Sequence, residues 1–453
     1  MEEKNRKRKW KHKLQTFSLT MVFLFVLLIS FVLIWENFYE KESVVHGPYN
    51  GPALTVIYII IFYAFGELYQ MFKISIKKIS EVVYSGFLSI LMSTFFIYVI
   101  ISLLQQKLAS FNSTLIFIAI QLFIVVVWAI FSHRVYFNIN IPKRTMIIYD
   151  EKRDLDGLIK SYGLEKRYEV SKILSIEEFN SDVENSLKDI DSIFVSGIRS
   201  SDRNDILKHS IHYAIDVYVI PKVGDIILQS SEDLPLFHLP VLKVERYNPS
   251  IAFLVLKRLL DIVVSGIALI VLSPVILITS LLIYFTDKGP VFYKQTRLTK
   301  NGKHFEVLKF RSMRVDAEKD VVARLSTGKK DDRITPVGKY IRATRIDEIP
   351  QLINIFKGEM SIVGPRPERP EIAKQYEEIL PEFKLRLQAK AGLTGYAQVY
   401  GKYNTTPYDK LLMDLIYISN PSLLEDFKIC FVTVKILFMK DSTEGIDEGK
   451  TTA

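Results

Sequence analysis

Apolar residues in this chain form long unbroken runs near its start and short runs, alternating with polar stretches, after residue 144. Four long runs stand out: Leu14–Trp35, Ala53–Phe72, Val82–Leu104 and Leu115–Phe131. At a rise of about 1.5 Å per residue, each can cross a bilayer as a helix. The first lacks a small-residue cleavage site and continues into aromatics, so it reads as a span rather than a signal peptide. Glu67 lies within the second run, either facing a polar interior or sitting near the helix end.

From Thr145 the pattern changes. Thr145–Tyr149, Val170–Ile176, Ser192–Gly197 and Asp216–Ile220 read as strands, with helices over Arg153–Tyr162, Ile176–Leu187 and Asp202–Ala214. This alternation predicts a small parallel α/β sheet. A dinucleotide site in such a unit needs a glycine-rich turn after the first strand, where backbone approaches the pyrophosphate. The turn here is Tyr149-Asp150-Glu151-Lys152, with no glycine and two carboxylates. A scaffold or regulatory unit is the expectation.

A fifth apolar run, Leu259–Phe285, has Ser273-Pro274 at its middle. Proline removes a helix hydrogen bond and clashes with the preceding turn, so a kink or hairpin is expected. Lys257 and Arg258 precede the run and Lys288 follows it. Cations at both ends predict entry and exit on one face, as a re-entrant helix over 257–287 rather than a fifth span. Beyond it, Pro290–Leu298 and His304–Met313 read as strands, joined through an Asn301-Gly302 turn. Their hairpin is expected to bring Lys294, Arg297, Lys309 and Arg311 near one another.

Composition sharpens this reading. The chain has 453 residues, 49% of them hydrophobic, which suits a membrane protein with two or three domains. Its net charge of +9 is unevenly placed. Residues 1–13 hold seven Lys and Arg against Glu2 and Glu3, as a cytoplasmic tail at an anionic membrane would. Lys73, Lys77 and Lys78 separate the second and third runs, and Arg134, Lys143 and Arg144 follow the fourth. The loop after the first run carries Glu36, Glu40 and Glu42 against Lys41. Both ends of the bundle therefore face the cytoplasm. The single Cys430 excludes a disulfide framework or a thiolate metal site. Between Lys288 and Arg345, sixteen Lys and Arg face six Asp and Glu. Without interleaved aromatics for base stacking, this basic stretch fits membrane lipids or a phosphorylated substrate, and no nucleic acid.

The candidate chemistry lies in Arg345-Ile-Asp-Glu-Ile-Pro-Gln351 and Gly364-Pro-Arg-Pro367. Asp347 and Glu348 are adjacent carboxylates in a cationic segment. Such a pair suits a nucleophile beside a metal ligand, with basic side chains set for phosphate oxygens. The plain alternative is a solvated charged face.

What decides between these is the company the pair keeps. Lys257-Arg-Leu-Leu-Asp261, Ser273-Pro274, Gly289-Pro-Val-Phe292 and Lys309-Phe-Arg-Ser-Met313 come first. Asp332-Arg-Ile-Thr335, Arg345–Leu352 and Gly358-Glu-Met-Ser-Ile-Val-Gly-Pro-Arg-Pro367 follow, then Gly392-Leu-Thr-Gly395, Gln398, Gly401 and Asp414–Tyr417. In that order they resemble the bacterial sugar transferases, monotopic polyprenol-phosphate phosphoglycosyl transferases. Larger members of that family carry four spans and a Rossmann-like domain ahead of the catalytic unit. Arg345-Ile346 departs from the commoner small or polar residue followed by leucine, and leaves the carboxylates untouched.

The resemblance implies a membrane protein with a basic tail (1–13), a four-helix transmembrane bundle (14–133), a Rossmann-like domain (134–246) and a monotopic α/β catalytic domain (247–453). It implies transfer of a sugar 1-phosphate from a UDP-sugar to undecaprenyl phosphate, releasing UMP through an aspartyl-phosphosugar. Asp347 is then the nucleophile, and Glu348, together with Asp347, would help hold Mg²⁺. Arg366 is the phosphate clamp, with Lys309, Arg311, Asp332, Arg333 and Arg342 as further binding candidates. A hexose such as glucose or galactose is the first expectation, at the bacterial cytoplasmic membrane and at the start of exopolysaccharide or capsule assembly. Self-association is left open. Two rivals are a membrane-bound nucleotide-sugar dehydratase or epimerase, using Tyr162 and Lys166, and a non-catalytic assembly scaffold. Neither accounts for the ordered motifs.

Overall fold

The computed structural model describes residues 2–39, 50–150, 154–236, 238–247, 249–314, 333–401 and 405–437. The chain divides into two compact units, residues 1–220 and 221–453.

The first unit opens with four long helices, α1 (Glu2–Ile34), α2 (Asn50–Leu68), α3 (Ile79–Gln105) and α4 (Phe111–Ile139). All four contain stretches long and apolar enough to cross a membrane. Helix α1 starts at Glu2, so the basic tail forms its first turns. Glu67 is exposed in the last turn of α2. In lipid no hydrophobic drive holds helices together, so small and polar side chains must help. Ser85, Ser89 and Ser93 form a buried stripe on α3. Gln121 donates to Ser30 Oγ at 2.8 Å, Trp128 Nε1 donates to the Leu19 carbonyl at 3.1 Å, and Phe23 stacks on Trp128 at 4.4 Å.

The same unit continues as β1 (Lys143–Tyr149), α5 (Leu155–Ser161), β2 (Tyr168–Ser175), α6 (Ile176–Ser181), α7 (Val183–Leu187), β3 (Ser192–Ser196), α8 (Ser200–His212) and β4 (Asp216–Val219). The strands form one parallel sheet in the order β2-β1-β3-β4. Met146 and Ile148 of β1 and Ile193 and Val195 of β3 supply a buried core. The Ile220 N–H bonds the Val195 carbonyl at 3.2 Å, and Pro221, lacking an N–H, follows at the division between units.

The second unit begins with α9 (Val223–Gln229) and a hairpin of β5 (Glu232–Leu236) and β6 (Leu239–Lys243). The segment 221–246, expected to belong with the Rossmann-like domain, thus groups with the later residues. Helix α9 packs on α16 (Pro407–Ser419).

Next come α10 (Ile251–Val271) and α11 (Ser273–Asp287), bent by 60° at the break between them. Pro274 has no N–H for the Ile270 carbonyl four residues back. The Ser273 hydroxyl donates to that carbonyl instead, at 2.7 Å, so the bend leaves it satisfied. Ala268, Leu269 and Leu272 pack against a core containing Val307, Leu352 and Ile355, and Ile283 packs with Phe310 and Ile341. The opposite side presents exposed Val263, Ile267, Ile270, Ile278 and Phe285.

The rest comprises the hairpin β7 (Phe292–Leu298) and β8 (His304–Phe310), then α12 (Pro336–Ala343), α13 (Gln351–Lys357), β9 (Ser361–Val363), α14 (Pro370–Ile379), β10 (Gly392–Thr394), α15 (Tyr396–Tyr400), α16 and α17 (Leu423–Leu437). Strands β9 and β10 are parallel, and the chain leaving β9 lies close against β10. A Cβ on Gly392 would stand 2.1 Å from the Gly364 nitrogen, an approach only glycine permits. Gly224 of α9 has nothing within 4 Å of such an atom. Overpacking of this kind costs about 1–3 kcal/mol or more. Gly392→Ala is therefore expected to lower the thermal unfolding midpoint in detergent by several degrees, while Gly224→Ala leaves it in place. Equal midpoints for both variants and wild type would contradict the close approach.

Candidate active site

Asp347 and Glu348 sit on a 3-10 turn, Ile346–Glu348, between α12 and α13. Arg345 precedes it in a left-handed conformation, φ 56°, which ends α12 and reverses the chain. Pro350 then leads into α13. Two neighbouring carboxylates on so tight a turn must take up different surroundings.

Glu348 is the one that is caged. Its Oε1 accepts from Lys309 Nζ at 3.3 Å and Arg366 Nη2 at 3.2 Å, and Arg345 Nη1 lies 3.8 Å from Oε2. Burial pushes this carboxyl up, but Arg366, Lys309 and Arg345 outweigh it and hold Glu348 at about 2. Burial also acts on Asp347, and the charge of Glu348 adds to it. Lys309, Arg342 and Arg345 only partly offset these, so Asp347 is raised above its ordinary value. One carboxylate is held as an anion, and its neighbour is the more basic of the two, the property a carboxylate nucleophile needs.

Each cation is delivered by a different element. Lys309 comes from β8, opposite Tyr293 of β7. The period of two along a strand splits the expected cluster: Lys294 points to the exposed side and pairs with Glu306 at 3.0 Å, whereas Arg297 and Lys309 share the inner face. Buried Arg311 lies just past β8, its N–H bonded to the Val291 carbonyl at 2.9 Å. Arg342 is in the last turn of α12. The Arg333 carbonyl accepts from the Arg314 N–H at 3.0 Å. Asp332 lies outside the described residues. Ser273 and Pro274 form the helix break.

Sequence reasoning overlooked Asn354. Buried on α13, it accepts from the Leu308 N–H at 3.0 Å and donates to the Glu306 carbonyl at 2.7 Å and Glu359 Oε2 at 2.6 Å. It thereby locks the helix after the acidic turn to the strand carrying Lys309. Its signal, an Asn within a short apolar helix, is too common to have been singled out. Helix α10 supports the same region. Arg258 donates to the Ile355 and Phe356 carbonyls, both at 2.7 Å, capping α13. Asp261 Oδ1 accepts from the Ile362 N–H at 2.9 Å and Ser361 Oγ at 3.2 Å, fixing β9.

Among the described residues no three His, Cys, Asp or Glu side chains converge to hold a metal. The acidic pair, with cations already at Glu348, does not make an all-protein cage. It fits magnesium in the usual way for that ion, through one or two carboxylates together with substrate phosphates.

Comparison with known proteins gives the family. Residues 252–440 match the family model described as bacterial sugar transferase. The exopolysaccharide production protein PSS of Rhizobium leguminosarum is 43% identical over 189 residues, 40% of this chain and 94% of that protein. The chain belongs to the bacterial sugar transferase family. A UDP-glucose:undecaprenyl-phosphate glucose-1-phosphate transferase of Klebsiella pneumoniae is 41% identical over 186 residues, 40% of each chain. An uncharacterized sugar transferase of Haemophilus influenzae is 32% identical over 295 residues, 59% of this chain and 61% of that one. Each of these two matches thus spans less than two thirds of the relative's length.

The contrast between the two carboxyls of this family member is measurable. Asp347, raised by burial, should titrate above about 3.9, and Glu348 well below about 4.3. Stability supplied by the Glu348 pairs is present above that ordinary value and is lost as pH falls through about 2. Carboxyl carbon NMR of the labelled protein, with Asp347→Asn and Glu348→Gln used for assignment, reads both. Ordinary values for the two groups would contradict the described environment.

Proposed function

We propose that this protein transfers a hexose 1-phosphate from a UDP-hexose to undecaprenyl phosphate through a covalent intermediate on Asp347. The observation that carries the proposal is the adjacent pair with opposed environments, Glu348 caged by cations and Asp347 made more basic. A carboxylate oxygen of Asp347 attacks the β-phosphorus, and the bond from that phosphorus to the bridging oxygen breaks, releasing UMP. An oxygen of undecaprenyl phosphate then attacks the acyl phosphate, the Asp347 carboxylate departs, and an undecaprenyl-diphosphate sugar results. Two displacements let two bulky substrates use one site in turn. Arg366, with side chain 43% exposed and tethered to Glu348 by one nitrogen, is suited to clamp phosphate oxygens through its planar fork. Lys309 balances charge from the inner side. Glu348 and Asp347 would hold Mg²⁺ with the diphosphate, and the bound ion supplies charge neutralisation at phosphorus. The name of the Klebsiella relative supports glucose as the first sugar to test.

We further propose that α10 and α11 form a re-entrant membrane element, with the catalytic unit on the cytoplasmic side. Support comes from contacts at both of its arms: α10 packs on α13 and β9, and α11 on α12. An element that touches one folded unit on both sides of its bend is hard to reconcile with a crossing that carries its far end through the bilayer. The exposed apolar side of the bent pair suits lipid.

Asp347→Asn is expected to abolish both UMP release and the phosphosugar adduct seen by mass spectrometry, because an amide is a far poorer nucleophile. Substantial turnover would rule out the covalent route. Glu348→Gln should be severely slowed and partly rescued by excess Mg²⁺. The assay uses membranes, undecaprenyl phosphate and a panel of UDP-glucose, UDP-galactose and their N-acetylated counterparts. For topology, Ile251→Cys, at a position 80% exposed, and Lys288→Cys should both react with an impermeant maleimide from the cytoplasmic side. Native Cys430, pushed up to about 11 by burial, should stay largely unlabelled. Labelling of position 288 from outside alone would establish a fifth span.

A further inference from the structure

The Gly364-Pro-Arg-Pro367 segment carries Arg366 to Glu348 with two φ angles fixed by proline, yet two of its four residues have no N–H with which to anchor it to the fold. The Gly364 N–H donates to the Thr394 carbonyl at 2.9 Å, and the further anchors are carbonyls. The Pro365 carbonyl accepts from the Gly392 N–H at 2.9 Å and the Glu368 carbonyl from the Leu298 N–H at 3.0 Å. The two carbonyls between them are taken by arginine side chains. Arg386 Nη2 donates to the Arg366 carbonyl at 2.9 Å, and Arg297 Nη1 to the Pro367 carbonyl at 3.1 Å.

Arg386 is 3% exposed, in the 3-10 segment Pro381–Gln388. Asp414 of α16, 1% exposed, accepts from its Nε at 2.9 Å, and Arg386 Nη2 lies 2.6 Å from the same Oδ2. Glu368 lies 3.7 Å from Arg386 Nη1 and 3.8 Å from Arg297 Nη1. Burying such a pair is costly, and apolar residues of similar volume often serve stability as well. What an apolar pair cannot supply is a rigid fork that binds a carboxylate and a main-chain carbonyl together.

We propose that Arg386, oriented by Asp414, is a positioning residue that sets the Arg366 guanidinium over Glu348 by clamping the main chain beneath it, with Arg297 holding the next carbonyl. The functional part of this rests on the proposed role of Arg366 as phosphate clamp.

The test uses the full-length protein in nanodiscs with UDP-glucose and undecaprenyl phosphate. Arg386→Lys keeps the charge but not the fork. Its kcat is expected to fall by about 10–100-fold, as for a misplacement of about 1 Å, with the thermal midpoint within a few degrees of wild type. In an Arg366→Gln background it should cause no further loss, because it acts only through Arg366. Hydrogen exchange at the Arg366 and Glu368 amides should quicken. Asp414→Asn, which weakens the same clamp while leaving the guanidinium in place, should reproduce these effects if Arg386→Lys folds poorly. A wild-type kcat in a folded clamp variant, losses that add to that of Arg366→Gln, or unchanged exchange would each overturn the proposal. If Arg366→Gln alone leaves turnover intact, the phosphate-clamp reading falls, and exchange at the two amides alone decides the positioning claim.

Discussion

The carboxylate of Glu348 is the point on which the catalytic unit turns. It draws Lys309 from a strand, Arg366 from the loop after β9 and Arg345 from its own turn onto two oxygens. Take that charge away and the three cations lose the anion they share, close to the carboxylate of Asp347. Keep it, and the positive field is anchored while Asp347, next in the chain, remains the more basic group. On the proposed mechanism this division of labour between adjacent residues is what lets one carboxylate act as nucleophile while its neighbour organises charge.

Holding such an arrangement calls for support that does not itself react. Asn354 ties α13 to β8, Arg258 caps α13, and Asp261 fixes the start of β9. Lys257 reaches Asp426 at 2.6 Å, and Tyr417 links Asp426 Oδ1, at 2.8 Å, to the Val363 carbonyl at 3.3 Å. Polar groups on one turn of α10 therefore brace both the acidic turn and the strand leading to Arg366. The helix with the apolar exposed side is thus also a structural wall of the site. Insertion in a membrane and catalytic geometry would be mechanically coupled, with Ser273 and Pro274 setting the angle between the two arms.

The long apolar runs, the parallel α/β alternation, the proline break and the acidic pair could all be found from the chain alone. Each is a local signal: hydrophobic length, a period of 2 or 3.6, a missing N–H, two charges side by side. Partnership could not be found that way. Lys294 and Lys309 look alike in sequence, and only strand register sends one to the exposed side and the other to Glu348. Asn354, Arg386 and Asp414 give no sign of their roles, because hydrogen bonds across 20 to 48 residues of chain exist only after folding. Neighbours in sequence share composition, whereas the pKa of Asp347 depends on burial and on charges gathered from separate elements. Motif and span were therefore written locally, and the opposed characters of Asp347 and Glu348 arose from packing.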